Sequence, residues 1–254
     1  MKVTTVIPAH LDSIRFPRKI LFEFFGIPMI EHVRRRALLA SSISAVYVAT
    51  CDEEIAEAVE SYGGRVIMTS NQHRNGTTRV AEAIDSIDCS HVILLQGDEP
   101  LLIPDHLNSL VKSIKSNPEG DAWNAIAPLE SAEELDLHSF VKCSVSETGR
   151  ILYCFRRSPG YAEFDQQRKY IHKILGLIAY RKNFLQEFAD FDSGMIETTE
   201  FIEQMRIIEN GRYLQSVPVY PSLPSVNEPG EADIVMNYIE ANEQQQQILN
   251  KILG

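Results

Sequence analysis

The sequence predicts an α/β protein, a mostly parallel sheet flanked by helices with a smaller antiparallel subdomain. Three observations carry this. Through the first half of the chain, short β-branched runs that are apolar on both faces alternate with helical runs whose apolar residues recur at three- and four-residue spacing. Strands buried on both faces belong to parallel sheets covered by helices. From residue 121 the pattern changes to strand runs separated by turn signals, which reads as antiparallel pairing.

In order, the first strand is "KVTTVIPA", followed by the helix "PMIEHVRRRALLA", the strand "AVYVATCD" and the helix "EEIAEAVESYGG", closed by Gly63-Gly64. Then come the strand "RVIMTS", the helix "TTRVAEAIDSI" and the strand "HVILLQGD". Asp52 and Asp105 are candidate helix caps. Beyond residue 121, "AWNAIAPLES", "FVKCSVSETGRILYCF" and "IHKILGLIAYR" predict strands, with Glu147-Thr148-Gly149 at a turn. A helix "ETTEFIEQMRIIENG", a strand "YLQSVPV", a proline-rich loop and a final helix complete the chain. The expectation is one domain over 1–254, with a hairpin-rich subdomain at about 121–190. Arg34-Arg35-Arg36 and the glutamine tract 244–247 read as solvated helix faces, and Trp123, Phe22, Phe24 and Phe25 as core or hairpin residues.

At 254 residues, 44% apolar and 23% charged, the composition is that of an ordinary globular chain. The formal charge of -11 argues against duplex nucleic acid as partner, so any anion has to be caught by local charge. The four cysteines are widely spaced, without a C-x-x-C pair, and predict free thiols in a reducing compartment. No run of about 18 apolar residues exists, and the N-terminus is too polar for a signal peptide. The expected location is the cytoplasm.

Local positive charge is found in "VIPAHLDSIRFPRK", where Arg15, Arg18 and Lys19 follow the first strand on a loop stiffened by Pro8 and Pro17. The loop matches neither the dinucleotide fingerprint nor the Walker pattern. Arginine grips phosphate oxygens bidentately and lysine supplies a point charge, so a triphosphate fits there. A solvated basic loop is the competing reading. "HVILLQGDEPLL" ends its strand in Gln96-Gly97-Asp98, and an aspartate at such an end suits a magnesium-phosphate complex. Here the competing reading is an acidic turn. In parallel sheets ligands sit beyond the carboxyl ends of the strands, and both loops belong to that edge.

These loops, with "FGIPMIEHV", "GGRVIMTSNQHRNGTTRVAEAI", "VKCSVSETGRILYCFRRSP", "LGLIAYRKNFL" and "FIEQMRIIENG", resemble the 3-deoxy-manno-octulosonate cytidylyltransferase (CMP-Kdo synthetase) family in order from about Val3 to about Asp233. The resemblance implies a nucleotidyltransferase-type, Rossmann-like fold, CTP and Mg2+, transfer of CMP to an acidic sugar with release of pyrophosphate, and a homodimer. Pro8, Ala9, Ser13, Arg15, Pro17, Lys19 and Leu21 match the family's "IPAR-S-R-P-K-L" triphosphate loop, in which His10 stands at the place of the arginine. Arg15 and Lys19 inherit charge stabilisation. His73, Gly76, Thr77 and Arg79 match "H-SGT-R", near cytosine and ribose. By the same resemblance Gln96 is expected to face the sugar and Asp98 the magnesium, and Arg156, Glu203 and Gln204 to meet the acceptor.

The departures from the family fall mainly on the acceptor half. His10 replaces an arginine, Ile174 and Ile178 replace a histidine and a tyrosine that touch the sugar, and Asn227, beside Glu228, replaces a metal-binding aspartate. His172, two residues before Ile174, shares its strand face and is the candidate replacement donor. Asn227 retains a neutral oxygen for magnesium. Two alternatives follow: the same chemistry on another acid acceptor, or a CTP-binding paralogue without turnover.

Overall fold

In the computed structural model, which describes residues 1–73 and 75–254, β1 (Val3–Pro8) is followed by a small hairpin of β2 (Glu23–Phe24) and β3 (Ile27–Pro28). Helix α1 (Met29–Leu38) then leads to β4 (Ala45–Thr50), α2 (Glu53–Ser61) to β5 (Val66–Met68), and α3 (Gly76–Ala83) to β6 (His91–Leu95). After α4 (Pro104–Ser116) come β7 (Ala122–Pro128), β8 (Lys142–Val145), β9 (Ile151–Phe155), β10 (Ile171–Arg181) and β11 (Leu214–Pro218), with helices Pro229–Ala241 and Glu243–Leu253 at the end. Residue contacts divide the chain into two units, one of residues 1–111 with 223–254 and the other of residues 112–222.

In the first unit the strands run in the order β6-β1-β4-β5, every pair parallel. All six residues of β1 are buried, as the two-faced apolar pattern of "VTTVIP" demands for a strand with neighbours on both sides. Gly63 ends α2 as expected: at φ +70° it occupies the left-handed region, and the Gly63 and Gly64 amides close onto the Glu60 and Val59 carbonyls. Asp52 stands at the N-cap of α2 without a side-chain bond to the helix; its carboxylate accepts instead from the Leu11 amide at 2.9 Å, tying down the loop after β1.

The second unit contains the expected hairpins. β7 pairs antiparallel with β10, β10 with β8, and β8 with β9, while β11 runs parallel to β7. Gly149 supplies the positive φ (+83°) in the turn between β8 and β9. The long helix predicted around "FIEQMRIIENG" is two short ones, Met195–Glu200 and Gln204–Glu209, because Phe201 takes a left-handed conformation between them. Leu129, Leu135, Phe155 and Ile171 form an apolar cluster, and Trp123 is fully buried. In the first unit Phe24 is buried, Phe25 turns the β2–β3 hairpin and Phe22 packs edge-on against Phe24.

Two surface expectations are corrected. The arginine run is not a solvated face: Arg34 and Arg36 are buried, and only Arg35 is half-exposed. Glu31, itself fully buried, accepts from Arg34 at 2.6 and 2.7 Å and from Arg35 at 3.0 Å, so the three- and four-residue helical spacings place one carboxylate under two guanidinium groups. Arg36 donates to Gln245 Oε1 at 2.6 Å and to the Leu102 carbonyl at 3.3 Å, and Gln245 Nε2 donates to the Leu101 carbonyl at 2.9 Å. Gln245 is therefore a buried brace within the glutamine tract.

His32 lies one turn into α1, fully buried, its Nε2 donating to the Phe24 carbonyl at 2.7 Å. Burial pushes its pKa from 6.5 down to about 4, with Arg36 and Arg35 adding to the fall against the opposing Phe24 hydrogen bond. The folded protein keeps the ring neutral, so the unfolded chain takes up the proton first on acidification. Stability is expected to be insensitive to this group above about pH 6.5 and to decline by about 3 kcal/mol in total between 6.5 and 4. Urea midpoints measured across that range check it, and His32→Gln, which keeps a donor for Phe24, is expected to flatten the decline.

Candidate active site

The carboxyl ends of β1, β4 and β6 lie along one edge of the parallel sheet of the first unit, and a cleft of about 580 Å³ opens there. That volume falls in the range of small-molecule sites. Pro8, Ala9, His10, Ser13 and Lys19 line it from the first loop, His73, Gly76 and Arg79 from the segment entering α3, and Gln96 and Asp98 from the loop after β6. Arg15 and Thr77 are not part of the lining. Arg15 instead donates from Nη2 to Asn227 Oδ1 at 3.3 Å, while Thr77 is buried in the first turn of α3.

At the centre Lys19 Nζ stands 2.6 Å from Asp98 Oδ2 and 3.0 Å from the Val226 carbonyl. Residues 79 apart in sequence thus meet, as the topology of adjacent parallel strands requires. The Val226 amide donates back to the Asp98 carbonyl at 3.0 Å, bringing the segment that contains Asn227 to the same place. Glu99, next to Asp98, has its pKa pushed up to about 8 by burial and by the Asp98 charge, with Lys19 opposing. It is mostly neutral at pH 7, so Asp98 supplies the negative charge that faces Lys19.

Close approach explains two glycines. A methyl group on Gly76 would stand 2.9 Å from the Pro8 ring, and one on Gly97 would stand 2.9 Å from Ile20 Cδ1. Arg79, nearly fully buried, is fixed by Thr69 Oγ1 at 2.7 Å and the Ser70 carbonyl at 3.3 Å. His73 pairs with Glu82, which also accepts from the Ser70 amide. Sequence reasoning missed Cys51, Asp52 and Asn75, which also line the cleft. Cys51 and Asp52 follow β4, whose end falls on the same edge by the rule that located the other two loops. Asn75 caps α3 by accepting from the Thr78 amide at 2.9 Å, a role its residue type allowed.

The remaining predicted residues belong to the second unit. Arg156 donates to the carbonyls of Glu200 at 3.0 Å, His138 at 2.8 Å and Phe201 at 3.2 Å, which leaves two of a guanidinium's five N–H groups for an acid. Glu203 accepts from Arg206 at 2.9 Å, and Gln204 Nε2 donates to Asn124 Oδ1 at 3.2 Å. His172 and Ile174 lie on β10 before a break in its register against β7, and Ile178 lies beyond that break. Burial lowers the pKa of His172, and its Nδ1 has no hydrogen-bond partner among the described residues.

Among the described residues no group of three or more histidine, cysteine, aspartate or glutamate side chains is arranged to hold a metal. Asp98 Oδ2 and the Val226 carbonyl, which share Lys19 Nζ, form a sparse oxygen set, with Asn227 next in sequence. That suits magnesium, which keeps water ligands and binds through one or two carboxylates together with substrate phosphates.

A cytidylyltransferase family model matches residues 4–215. The chain belongs to the cytidylyltransferase family. A 3-deoxy-manno-octulosonate cytidylyltransferase of Chlorobium limicola is 37% identical over 92% of this chain and 96% of its own length. An 8-amino-3,8-dideoxy-manno-octulosonate cytidylyltransferase of Shewanella woodyi is 36% identical over 92% and 97%. Among solved structures, CMP:2-keto-3-deoxy-manno-octonic acid synthetase complexed with CTP superimposes with a TM-score of 0.90 at 32% identity, covering 95% of this chain and 99% of that one. The cytidylyltransferase fold expected from the loop motifs is thus established, and no helix among the described residues is long and apolar enough to cross a membrane.

Proposed function

We propose that this cytidylyltransferase transfers CMP from CTP to 3-deoxy-manno-octulosonate or a near relative of that sugar acid. A hydroxyl oxygen of the acceptor forms a bond to the α-phosphorus as its proton passes to solvent, the bond from that phosphorus to the bridging oxygen breaks, and pyrophosphate leaves in line. Such chemistry depends on positioning and charge neutralisation, with no covalent intermediate on the protein. The observation that carries this reading is the meeting of Lys19 and Asp98 at 2.6 Å in the cleft. Lys19 moves its charge from carboxylate to triphosphate when CTP is bound, and Arg15, on the same loop, adds a second cation. Ser13, His10 and the backbone of Pro8 and Ala9 border the phosphates, while His73, Gly76 and Arg79 border the nucleoside, with Thr77 buried behind them in α3. Asp98, with the Asn227 oxygen, would hold magnesium, which would offset negative charge on the phosphates. Gln96, Arg156, Glu203 and Gln204 orient the acceptor.

A second reading, a different acid acceptor, is favoured by Ile174 and Ile178 and by the equal similarity to proteins named for two different octulosonates. Two isoleucines donate no hydrogen bond, and hydroxyl-reading sites discriminate through such bonds. A panel of sugar acids incubated with CTP and magnesium, with pyrophosphate release measured, decides between them. Robust turnover of 3-deoxy-manno-octulosonate supports the first reading. Preference for an amino or otherwise altered acid supports the second, and CTP binding without turnover of any acid ends both. Asn227→Asp adds a carboxylate beside Arg15, and the magnesium concentration for half-maximal rate is expected to fall in that variant.

The four free thiols suit a reducing cytoplasm. We place a homodimer contact on the hairpin-rich unit, where Leu152 and Tyr153 are exposed on β9. Light scattering of the protein and of Leu152→Glu tests it, with a monomeric variant as the expected result.

A further inference from the structure

Asn124 is a fully buried polar residue in the middle of an otherwise apolar strand, "AWNAIAP". Buried amides are retained where their hydrogen bonds are met, and here two of the three partners have a fixed sense. Nδ2 donates to the Ala125 carbonyl at 2.8 Å and to the Leu175 carbonyl at 3.0 Å. Leu175 lies where the β10 register against β7 breaks, between Ile174 and Ile178, so its carbonyl sits in an interrupted part of the ladder. Carbonyls only accept, which forces the NH2 end of Asn124 toward them and its Oδ1 the other way. Oδ1 meets Gln204 Nε2 at 3.2 Å. An oxygen requires a donor, so Gln204 is held with its NH2 inward. Its Oε1 and its second N–H are left on offer, and the side chain makes no other hydrogen bond among the described residues.

We propose that Asn124 is a positioning residue that sets acceptor specificity: through two main-chain carbonyls and its own amide it fixes Gln204 so that Oε1, a pure acceptor, reads a proton-donating hydroxyl or amino group of the sugar acid. The inference builds on Gln204 meeting the acceptor. It assigns Gln204 Oε1 to a donor on the sugar, a place the sugar carboxylate cannot take, because Oε1 would face another oxygen. Arg156, with two N–H groups to spare, is the group suited to the carboxylate.

The test compares kcat/KM for the best sugar acid with that for its single-deoxy derivatives, each lacking one hydroxyl, at saturating CTP. The wild-type enzyme is expected to disfavour one derivative by about tenfold or more. Gln204→Leu and Asn124→Leu are each expected to erase that preference while leaving CTP affinity unchanged. Asn124→Ser, too short to reach Gln204, gives the same readout if the leucine variant does not fold. Gln204→Glu leaves Asn124 in place: its carboxylate faces Asn124 Oδ1 and must hold a proton to donate, so acceptor KM is expected to rise with pH in this variant beyond any rise in the wild type.

If Gln204→Leu erases the preference but both Asn124 variants retain it, Asn124 is merely structural and the inference falls. If Gln204→Leu itself retains the preference, or the wild type shows none, Gln204 does not read the acceptor. The inference then falls with that earlier assignment. A pH-independent KM in Gln204→Glu overturns it as well.

Discussion

Replacing Lys19 by methionine is expected to lower kcat by about 10²–10³-fold, the usual cost of removing one preorganised charge from a site of developing negative charge. Methionine keeps much of the stem's length and packing, so the loss reports charge. Lys19 and Asp98 are in direct contact, and Asp98→Asn is expected to cost a similar factor. If the two act as a unit on one nucleotide complex, the double variant is expected to lose far less than the product of the single losses. The measurement is pyrophosphate release at saturating CTP and acceptor, with CTP affinity followed by calorimetry. A Lys19→Met enzyme within about threefold of wild type would leave the charge-stabilising role without support.

Glu31→Gln is expected to destabilise the protein by about 3–5 kcal/mol, the range found when one partner of a buried ion pair is removed. Glu31 is fully buried and is the carboxylate that faces both Arg34 and Arg35. Without its charge, Arg34, itself buried, keeps a positive charge with only glutamine and the Tyr62 carbonyl for company. Urea denaturation reads the change as a lower midpoint at unchanged slope. Glu31→Leu combined with Arg34→Met is expected to recover most of the loss, because it removes both charges rather than stranding one. A loss below about 1 kcal/mol in the single variant would mean water reaches the pair and the burial account is wrong.

The sequence made the parallel sheet legible because its strands are apolar on both faces, and that alone located the loops after β1 and β6 on one edge. The contact between Lys19 and Asp98 follows from this placement. Side chains whose role depends on a tertiary partner were harder to read. The arginine run looked like a solvated face because its counterion, Glu31, is an ordinary helix residue until the helix is packed. Gln245 was hidden in a tract of glutamines and shows its importance only through Arg36 and the Leu101 carbonyl. Asn124 was invisible for the opposite reason: one amide in an apolar strand has no periodic signature, and its partners lie 51 and 80 residues away. The resemblance carried Arg156 to the acceptor, whereas its three bonds to carbonyls appear only in three dimensions.

The chain's division has an evolutionary corollary. Lys19, Asp98, His73 and Arg79 belong to the unit assembled from both ends of the polypeptide, whereas Arg156, Glu203, Gln204 and Asn124 all fall in the uninterrupted stretch 112–222, with Gln96 the exception. With the roles proposed above, one contiguous block of the gene can drift or recombine toward a new sugar while the segments encoding triphosphate chemistry are inherited intact.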